Sequence, residues 1–352
     1  MIAAVLADEL LGALPDTLAR VDVAYAEPLV RLGGGFFAEN YAFRLAGVPP
    51  PWDTPLVVRL FPSSSPPDLA RREAAIQTVL ADQGYPTARV LLFEEGARLL
   101  GRRFFVMERL PGRPMMGGIR IREMARSGWR LFNRLADVTA SLQASLHRLD
   151  AGPLVAELGD APAGIERWFA RIEAEANEGA DGLGDGLRWL IDNQPAQPAR
   201  ASICHGDLWG GNILAQDGRV TGVLDWTVAT VAEPALDVGF TAISLCLAPI
   251  DAPRPIQRAV ARLGRSMCRR YIRAYQLETG ADLSAQPYYE ALRCANELAG
   301  VAAYRLAEAK GELHDVPRFT WASIADQMVD YFRDRTGVTL ELPPVVGRTR
   351  SG

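Results

Sequence analysis

The sequence predicts an α+β protein of two parts: an N-terminal antiparallel sheet with one helix, and a mainly helical C-terminal part that carries one β-hairpin. Three observations predict this arrangement. Short apolar runs separated by glycine and proline turns fill the chain up to about residue 110. Leucines and valines then recur at three- and four-residue intervals from about residue 129, the period of an amphipathic helix. Finally, Asp217-Gly218 lies between two apolar runs, and this pair favours a tight hairpin because both residues accept positive φ.

The N-terminal part contains five candidate strands. Three glycines separate the first two, and a proline-rich loop precedes the third. A helix is predicted between the third and fourth strands, over about residues 67–82. The predicted strands cover residues 28–32, 37–45, 56–61, 90–94 and 102–108.

The C-terminal part is predicted to be a series of helices with the hairpin among them. They cover residues 129–148, 165–176, a helix opened by Glu233-Pro234, and residues 257–277, 287–310 and 319–334. A glycine- and aspartate-rich loop is predicted over residues 179–186. His147, near the end of the first helix, is predicted to be a surface or helix-capping residue. Residues 337–352, rich in proline, glycine and arginine, are expected to form a loose tail.

Composition bounds the class of protein. The 352 residues are too many for one typical core and suit two lobes, and 49% hydrophobic with 23% charged residues is typical of a globular chain. A net charge of −4 gives no electrostatic footprint for nucleic acid. No apolar run is long enough to span a membrane, and the N-terminus lacks the basic region of a secretory signal. The four cysteines form no CxxC pair, which predicts reduced core thiols in a cytoplasmic protein without a zinc site.

The chemistry is concentrated between residues 203 and 226. His205-Gly206-Asp207 is followed by Asn212 after five residues, and the predicted hairpin returns Asp225 beside Asn212. Asp207 could accept a hydroxyl proton and orient the attacking oxygen in phosphoryl transfer. Magnesium prefers hard oxygen donors, which Asn212 and Asp225 supply. The stretch therefore predicts a magnesium-assisted phosphotransferase site.

The order and spacing of these residues resemble the catalytic loop and metal-binding aspartate of the aminoglycoside phosphotransferase family. The resemblance implies a bilobal protein-kinase-like fold, with an N-lobe over residues 1–110 and a C-lobe over residues 111–336. It also implies transfer of the γ-phosphoryl of ATP, with Mg²⁺, to a hydroxyl of a small molecule such as an aminoglycoside-like antibiotic, a sugar or an amino alcohol.

Arg59 is the one cation on an apolar strand, and an unpaired buried charge is costly, so a partner is expected. Glu73 on the following helix can provide it. This pattern resembles the lysine–glutamate pair that holds the nucleotide phosphates in the family, with arginine in place of lysine. Arginine can bind phosphate through two donors, although its planar group does not reproduce a lysine's point contact.

The resemblance implies further nucleotide contacts. A glycine-containing loop lies over the nucleotide in the family, and Gly33, Gly34 and Gly35 occupy the corresponding turn. Residues 107–112 resemble the segment between the lobes that binds adenine, which assigns the carbonyl of Glu108 and the N–H of Leu110 to that contact. The sequence alone indicates only a hairpin turn and a Pro-Gly turn at these two places.

Two further residues are expected to support the site. In the family, the aspartate at the position of Asp237 braces the catalytic loop, and Asp237 lies in the first turn of a predicted helix, where N–H groups lack partners. The ring of His205 is expected to bond the backbone near the metal site.

Several alternatives stay open from sequence. Arg59 also favours a nucleotide-binding scaffold without turnover. The run His-Gly-Asp-Leu-Trp-Gly-Gly-Asn resembles fructosamine kinases, although Asp225-Trp226 departs from their Asp-Pro. A third alternative is a helical interaction protein with an accidental motif match. Protein-kinase activity is disfavoured because Asp237 follows Asp225 too closely for an activation loop.

Overall fold

The computed structural model describes residues 2–14, 18, 22–33, 38–94, 96, 98–116, 121–158, 165–196, 201–247, 254–312 and 320–345. The strands are β1 (Ala24–Arg31), β2 (Glu39–Ala46), β3 (Leu56–Leu60), β4 (Val90–Leu92), β5 (Phe104–Glu108), β6 (Arg113–Pro114), β7 (Ser202–Cys204), β8 (Ile213–Gln216), β9 (Arg219–Val223) and β10 (Thr230–Ala232).

The helices are α1 (Ile2–Gly12), α2 (Leu69–Asp82), α3 (Ile121–Arg148), α4 (Gly152–Leu158), α5 (Glu166–Asn177), α6 (Gly184–Asp192), α7 (Pro234–Cys246), α8 (Arg254–Thr279), α9 (Gln286–Lys310) and α10 (Ala325–Thr336). Short 3₁₀ helices cover Asp181–Leu183 and Thr320–Ile324. In the described ranges, no helix has both the length and the apolar character that a bilayer crossing requires.

The chain forms two compact units. The first contains residues 1–117, 152–159 and 210–229, so it holds the N-terminal sheet together with β8 and β9. The second contains residues 118–151, 160–209 and 230–352, and it is mainly helical. This antiparallel sheet and this helix-rich region are the α+β class that the sequence predicts.

The sheet of the first unit has the order β1-β2-β3-β5-β4, and every neighbouring pair is antiparallel. Every residue of β3 is buried, because the sheet is covered on two sides. Alternate residues of β3 pack in one apolar cluster with α1, while Phe105 of β5 packs with α2 in another. Both apolar clusters therefore hold the central strands, and β3 carries Arg59 at a fixed position between them.

The predicted hairpin is confirmed. Strands β8 and β9 pair through a turn in which Asp217 has φ 49° and Gly218 has φ 78°, the positive values that both turn residues accept. The N–H of Leu224 donates to the carbonyl of Asn212 at 2.8 Å. The hairpin thus brings the backbone preceding Asp225 beside Asn212, as the sequence predicts.

The core of the second unit is formed by α7 and α9. Nearly every residue of α7 is buried, and residues 288–302 of α9 are buried without a break. The short antiparallel pair β7–β10 lies at this core and leads into the loop that begins at His205. A charged side chain on α7 or within residues 288–302 of α9 is therefore removed from water and requires a partner.

Three predicted elements differ from the structure. Helix α3 begins at Ile121, eight residues before the predicted start at residue 129. Residues 181–183 and 184–192 are helical where a loop is predicted at 179–186. Residues 337–345, predicted as the start of a loose tail, are anchored: Leu340 is buried against Gly186, and the N–H of Glu341 donates to the carbonyl of Gly182 at 3.2 Å. These contacts arise from tertiary packing, which cannot be predicted from the local sequence.

Candidate active site

The loop after β7 carries the predicted base, Asp207, and Asp237 holds its backbone. The buried carboxylate of Asp237 accepts the N–H of His205 and the N–H of Gly206, each at 2.8 Å. Burial alone would raise the pKa of Asp237, but the hydrogen bond and charge of His147, with the nearby His205, lower it. Asp237 is thus an ionised acceptor beneath the loop, in contact with the residues it is predicted to support.

His147 is the first correction at this site. The prediction of a surface or capping residue is wrong, because the side chain is only 4% exposed. Its Nε2 lies 3.1 Å from Asp237 Oδ2 and its Nδ1 lies 2.7 Å from the hydroxyl of Tyr275. The donor atoms of His147, Cys204 and Asp237 lie within 4.8 Å of one another. Hydrogen bonds account for both His147 and Asp237 there, so we assign this group a structural role.

A second buried network, which the sequence did not predict, reaches the same loop. Gln143 on α3 donates to the carbonyl of Asp237 at 3.1 Å and to the hydroxyl of Thr241 at 3.0 Å. The hydroxyl of Thr241 donates to the carbonyl of Leu208 at 3.2 Å, and the hydroxyl of Tyr271 donates to Gln143. Helices α3, α7 and α8 therefore hold the loop at a position just after Asp207.

Asp207 itself is 30% exposed and contacts a buried arginine. Arg293 on α9 donates to Asp207 Oδ1 at 3.0 Å and to the carbonyl of Gly206 at 3.2 Å. The N–H of Asp207 donates to Nδ1 of His205 at 3.2 Å, which is the kind of backbone contact expected of that ring. Arg293 was not among the residues predicted from the sequence. The available signal was a charged residue within the apolar run of α9, with Glu297 one turn later.

The predicted metal ligands lie at the open end of the hairpin in the first unit. Asp225 has φ 64°, a left-handed conformation that is uncommon for a residue other than glycine. Its carboxylate is 46% exposed, and Oδ1 accepts the hydroxyl of Thr227 at 2.6 Å. A carboxylate and an amide oxygen on adjoining backbone are hard donors of the type that Mg²⁺ takes. The donor set at Asn212 and Asp225 therefore fits magnesium.

Arg59 and Glu73 form the ion pair that the sequence predicts. Arg59 Nε lies 3.0 Å from Glu73 Oε1, and the two side chains are 9% and 2% exposed. The contact is electrostatic, because the Nε–H has no partner in hydrogen-bond geometry. Arg59 Nη2 donates to the hydroxyl of Thr227 at 3.0 Å and to Asp225 Oδ1 at 3.4 Å. The cation on β3 thus joins the carboxylate of α2 to the predicted metal ligand.

The charges in this cluster act on Glu73. Burial raises the pKa of Glu73 to about 7, and Asp225 adds to the increase, while Arg59 opposes it. Phe61 also lies beside the cluster, with the Arg59 guanidinium carbon 5.5 Å from its ring centroid. Arg59 is therefore held from several sides, and its predicted contact with nucleotide phosphates stays a prediction.

The other predicted nucleotide contacts are near the ends of strands. Gly33 follows β1, whereas Gly34 and Gly35 lie outside the described residues. Glu108 ends β5 and pairs with Leu56 of β3. The side chain of Leu110 packs on Gly222 of β9, which has no Cβ to occupy that space. The sheet and the hairpin thus meet at Leu110, beside the backbone predicted to bind adenine.

Comparison with known proteins gives a family match. The model of a family described as "Phosphotransferase enzyme family" (APH) matches residues 29–275, more than half of the chain. Acyl-CoA dehydrogenase family member 11 of Mus musculus is 29% identical over 176 residues, which are 47% of this chain and 22% of the relative. The chain therefore spans under a quarter of the length of that relative, whose name describes the whole protein.

Solved structures share the fold. A protein described as a candidate aminoglycoside phosphotransferase from Ralstonia eutropha has a TM-score of 0.67 at 21% identity, over 95% of this chain and 99% of that one. A thermostable mutant of aminoglycoside phosphotransferase APH(4)-Ia, in complex with ADP and hygromycin B, has a TM-score of 0.55 at 14% identity, over 88% and 95% of the two chains.

Proposed function

Because the chain belongs to the phosphotransferase enzyme family APH and has its kinase-like fold, we propose that it moves the γ-phosphoryl of ATP to a hydroxyl of a small molecule. The chain is a phosphotransferase that acts on hydroxyl groups. The choice of ATP is supported by the fold neighbour that binds ADP.

One observation carries the proposal. Arg59, Glu73 and Asp225 come from a strand, a helix and the end of a hairpin, and they meet in one cluster. A buried Arg59–Glu73 pair is an expensive way to build a core, because both of these charges must be taken out of water. A cation poised next to a metal-binding carboxylate is what a nucleotide with magnesium requires.

The proposed roles follow from the chemistry of each side chain. Asp207 orients the acceptor hydroxyl and takes its proton, Arg59 binds the nucleotide phosphates, and Glu73 holds Arg59 in place. Asn212 and Asp225 hold Mg²⁺, which would neutralise charge on the phosphates when bound. Asp237 and His205 maintain the backbone that presents Asp207. Gly33, Gly34 and Gly35, with Glu108 and Leu110, bind the rest of the nucleotide.

The acceptor is proposed only as a class. Hygromycin B in the fold neighbour supports an aminoglycoside-like antibiotic, and sugars and amino alcohols offer the same hydroxyl nucleophile. The name of the acyl-CoA dehydrogenase relatives adds hydroxylated acyl-CoA esters. These classes are distinguished by assay.

The test is ADP release with magnesium, ATP and a panel of aminoglycosides, macrolides, sugars, amino alcohols and hydroxylated acyl-CoA esters. We expect acceptor-dependent ADP release by the wild-type chain. Asp207→Asn is expected to abolish turnover while ATP still raises the melting temperature. Full activity of Asp207→Asn would remove its assigned role as base.

Arg59 supports a second candidate, a nucleotide-binding scaffold without turnover. Its guanidinium lies 3.4 Å from Asp225 Oδ1, an oxygen that magnesium also needs. This candidate predicts a thermal shift with ATP and no ADP release with any acceptor. The same panel therefore separates the two functions.

A further inference from the structure

We propose that Arg293 is a positioning residue that fixes the carboxylate of Asp207 for proton acceptance. This inference rests on the proposed function, because it assigns Asp207 the part of the base. It adds a residue from α9, a helix that contributes nothing to the motif from which the site was identified.

Arg293 contacts the loop at two consecutive residues. One guanidinium nitrogen donates to Asp207 Oδ1 at 3.0 Å, and the other donates to the carbonyl of Gly206 at 3.2 Å. These two bonds from one planar group restrict both the side chain and the backbone that carries it. Asp237 binds the N–H of Gly206 at the same peptide segment, so the loop is held by an anion and a cation from two helices.

The surroundings of Arg293 keep its guanidinium in one orientation. Its side chain is 8% exposed, and Nε lies 3.2 Å from Glu297 one turn along α9. The guanidinium carbon lies 5.2 Å from the ring centroid of Phe240 and 5.9 Å from that of Trp321. Because the guanidinium is confined in this way, its hydrogen bond also restricts the position of the Asp207 carboxylate.

The charge balance favours a role beyond packing. Burial would lower the pKa of Arg293, but the carboxylates of Glu297 and Asp207 outweigh it and raise the pKa. Glu297 already supplies one counter-charge within α9. Glu297 faces Nε without hydrogen-bond geometry, so it acts only as a charge, whereas the two terminal nitrogens donate hydrogen bonds to Asp207 and to the carbonyl of Gly206. The geometry therefore indicates that α9 uses this charge to position Asp207.

The experiment compares Arg293→Met and Arg293→Lys in the full chain, with an acceptor found in the panel. Since misplacement of a reacting group by about 1 Å can cost about 100-fold in rate, Arg293→Met is expected to lower kcat by about that factor. KM for ATP is expected to stay within about twofold, because no nucleotide contact is assigned to α9. Arg293→Lys retains the charge and is expected to recover part of kcat.

Arg305→Met is the matched control, because Arg305 lies on the same helix and donates to the carbonyl of Pro343 at 2.9 Å. Its kcat is expected to equal that of the wild type. Wild-type kcat in Arg293→Met would overturn the inference while the proposed function stands. If Arg293→Lys lost as much kcat and as much melting temperature as Arg293→Met, the role of Arg293 would be structural. That result would also overturn the inference. Absence of ADP release from the wild type would instead remove the proposed function.

A variant that leaves Glu297 buried without its counter-charge could fail to fold. Arg293→Met/Glu297→Met removes both charges together, and its kcat is expected to fall as in the single variant. A thermal-unfolding cycle of Asp207→Asn, Arg293→Met and the double variant Asp207→Asn/Arg293→Met needs no acceptor. The double variant is expected to lose less melting temperature than the two single losses combined, and strictly additive losses would show that the residues are not coupled.

Discussion

The guanidinium of Arg59 lies 3.0 Å from the carboxylate of Glu73, and both side chains are withdrawn from water. Even so, the pKa of Glu73 is raised to about 7, because burial and Asp225 outweigh the attraction of the arginine. The pair is therefore sensitive to pH in the neutral range, where exposed carboxylates are fully ionised.

This predicts an unusual pH dependence of stability. Glu73 titrates near 7 in the folded chain and near 4.5 in the unfolded chain, so the folded chain binds the extra proton between these values. The stabilisation of the folded chain that comes from the raised pKa of Glu73 is present at low pH and is lost as the pH rises through about 7. Relative to Glu73→Gln, the wild type is expected to lose up to about 1.4 kcal/mol of unfolding free energy per pH unit in this window. Urea unfolding from pH 5 to 8 measures it.

The control for this comparison is Glu173→Gln, which changes an exposed carboxylate on α5. Its stability is expected to follow the wild-type pH profile. Parallel profiles of Glu73→Gln and the wild type would contradict the raised pKa of Glu73.

Asp225 and Thr227 give a prediction about magnesium. Asp225→Ala removes a hard oxygen ligand and is expected to abolish the effect of magnesium on the ATP-induced thermal shift. Thr227→Val keeps the carboxylate and removes only the hydroxyl that donates to it at 2.6 Å. Loss of such an orienting contact weakens metal binding by about tenfold. The variants are compared by the magnesium concentration that gives half of the thermal shift. If this concentration is unchanged in Asp225→Ala, Asp225 is not a magnesium ligand.

Asp237→Asn is expected to destabilise the second unit. The amide exchanges one acceptor oxygen for a donor, so an N–H of His205 or Gly206 loses its partner inside the core. An unpaired buried donor costs about 1–3 kcal/mol of unfolding free energy. Urea unfolding is the measurement, with Asp330→Asn as the control, because the Asp330 side chain on α10 is exposed. Equal stability of the two variants would contradict the bracing role.

Gly222→Val tests the contact between β9 and Leu110. A side chain at residue 222 would occupy the space of the Leu110 side chain. Overpacking of this kind costs about 1–3 kcal/mol of unfolding free energy. Because it displaces Leu110, whose N–H is proposed to bind adenine, ATP affinity is expected to fall by about tenfold, or about 1.4 kcal/mol. Gly184→Ala is the control, since nothing lies within 4 Å of an added Cβ there. Calorimetric titration with ATP measures the change, and unaltered affinity would exclude Leu110 from the nucleotide site.

The sequence predicted those parts of the fold whose signals are local. The two residues Asp217-Gly218 are enough to predict the turn, and the Arg59–Glu73 pair follows from one cation on an apolar strand. The start of α3 was missed because residues 113–128 are basic and lack an apolar period. Loop signals at residues 179–186 were overridden by packing.

The parts of the site that the sequence did not reveal depend on distant partners. His147 and Arg293 are charge-bearing residues, and such residues are usually exposed unless something pairs with them. Their partners, Asp237 and Asp207, lie 90 and 86 positions away along the chain. No local period or motif encodes such a pairing, so a single sequence could not assign it.

The segment after α10 has a practical consequence. Leu340 lies over Gly186 and near Phe332, and Glu341 is bonded to Gly182. A chain shortened at Gly337 would leave an apolar hollow open to solvent on the helical unit. Such a surface promotes self-association, so shortened versions are expected to precipitate more readily than versions that retain residues up to 345.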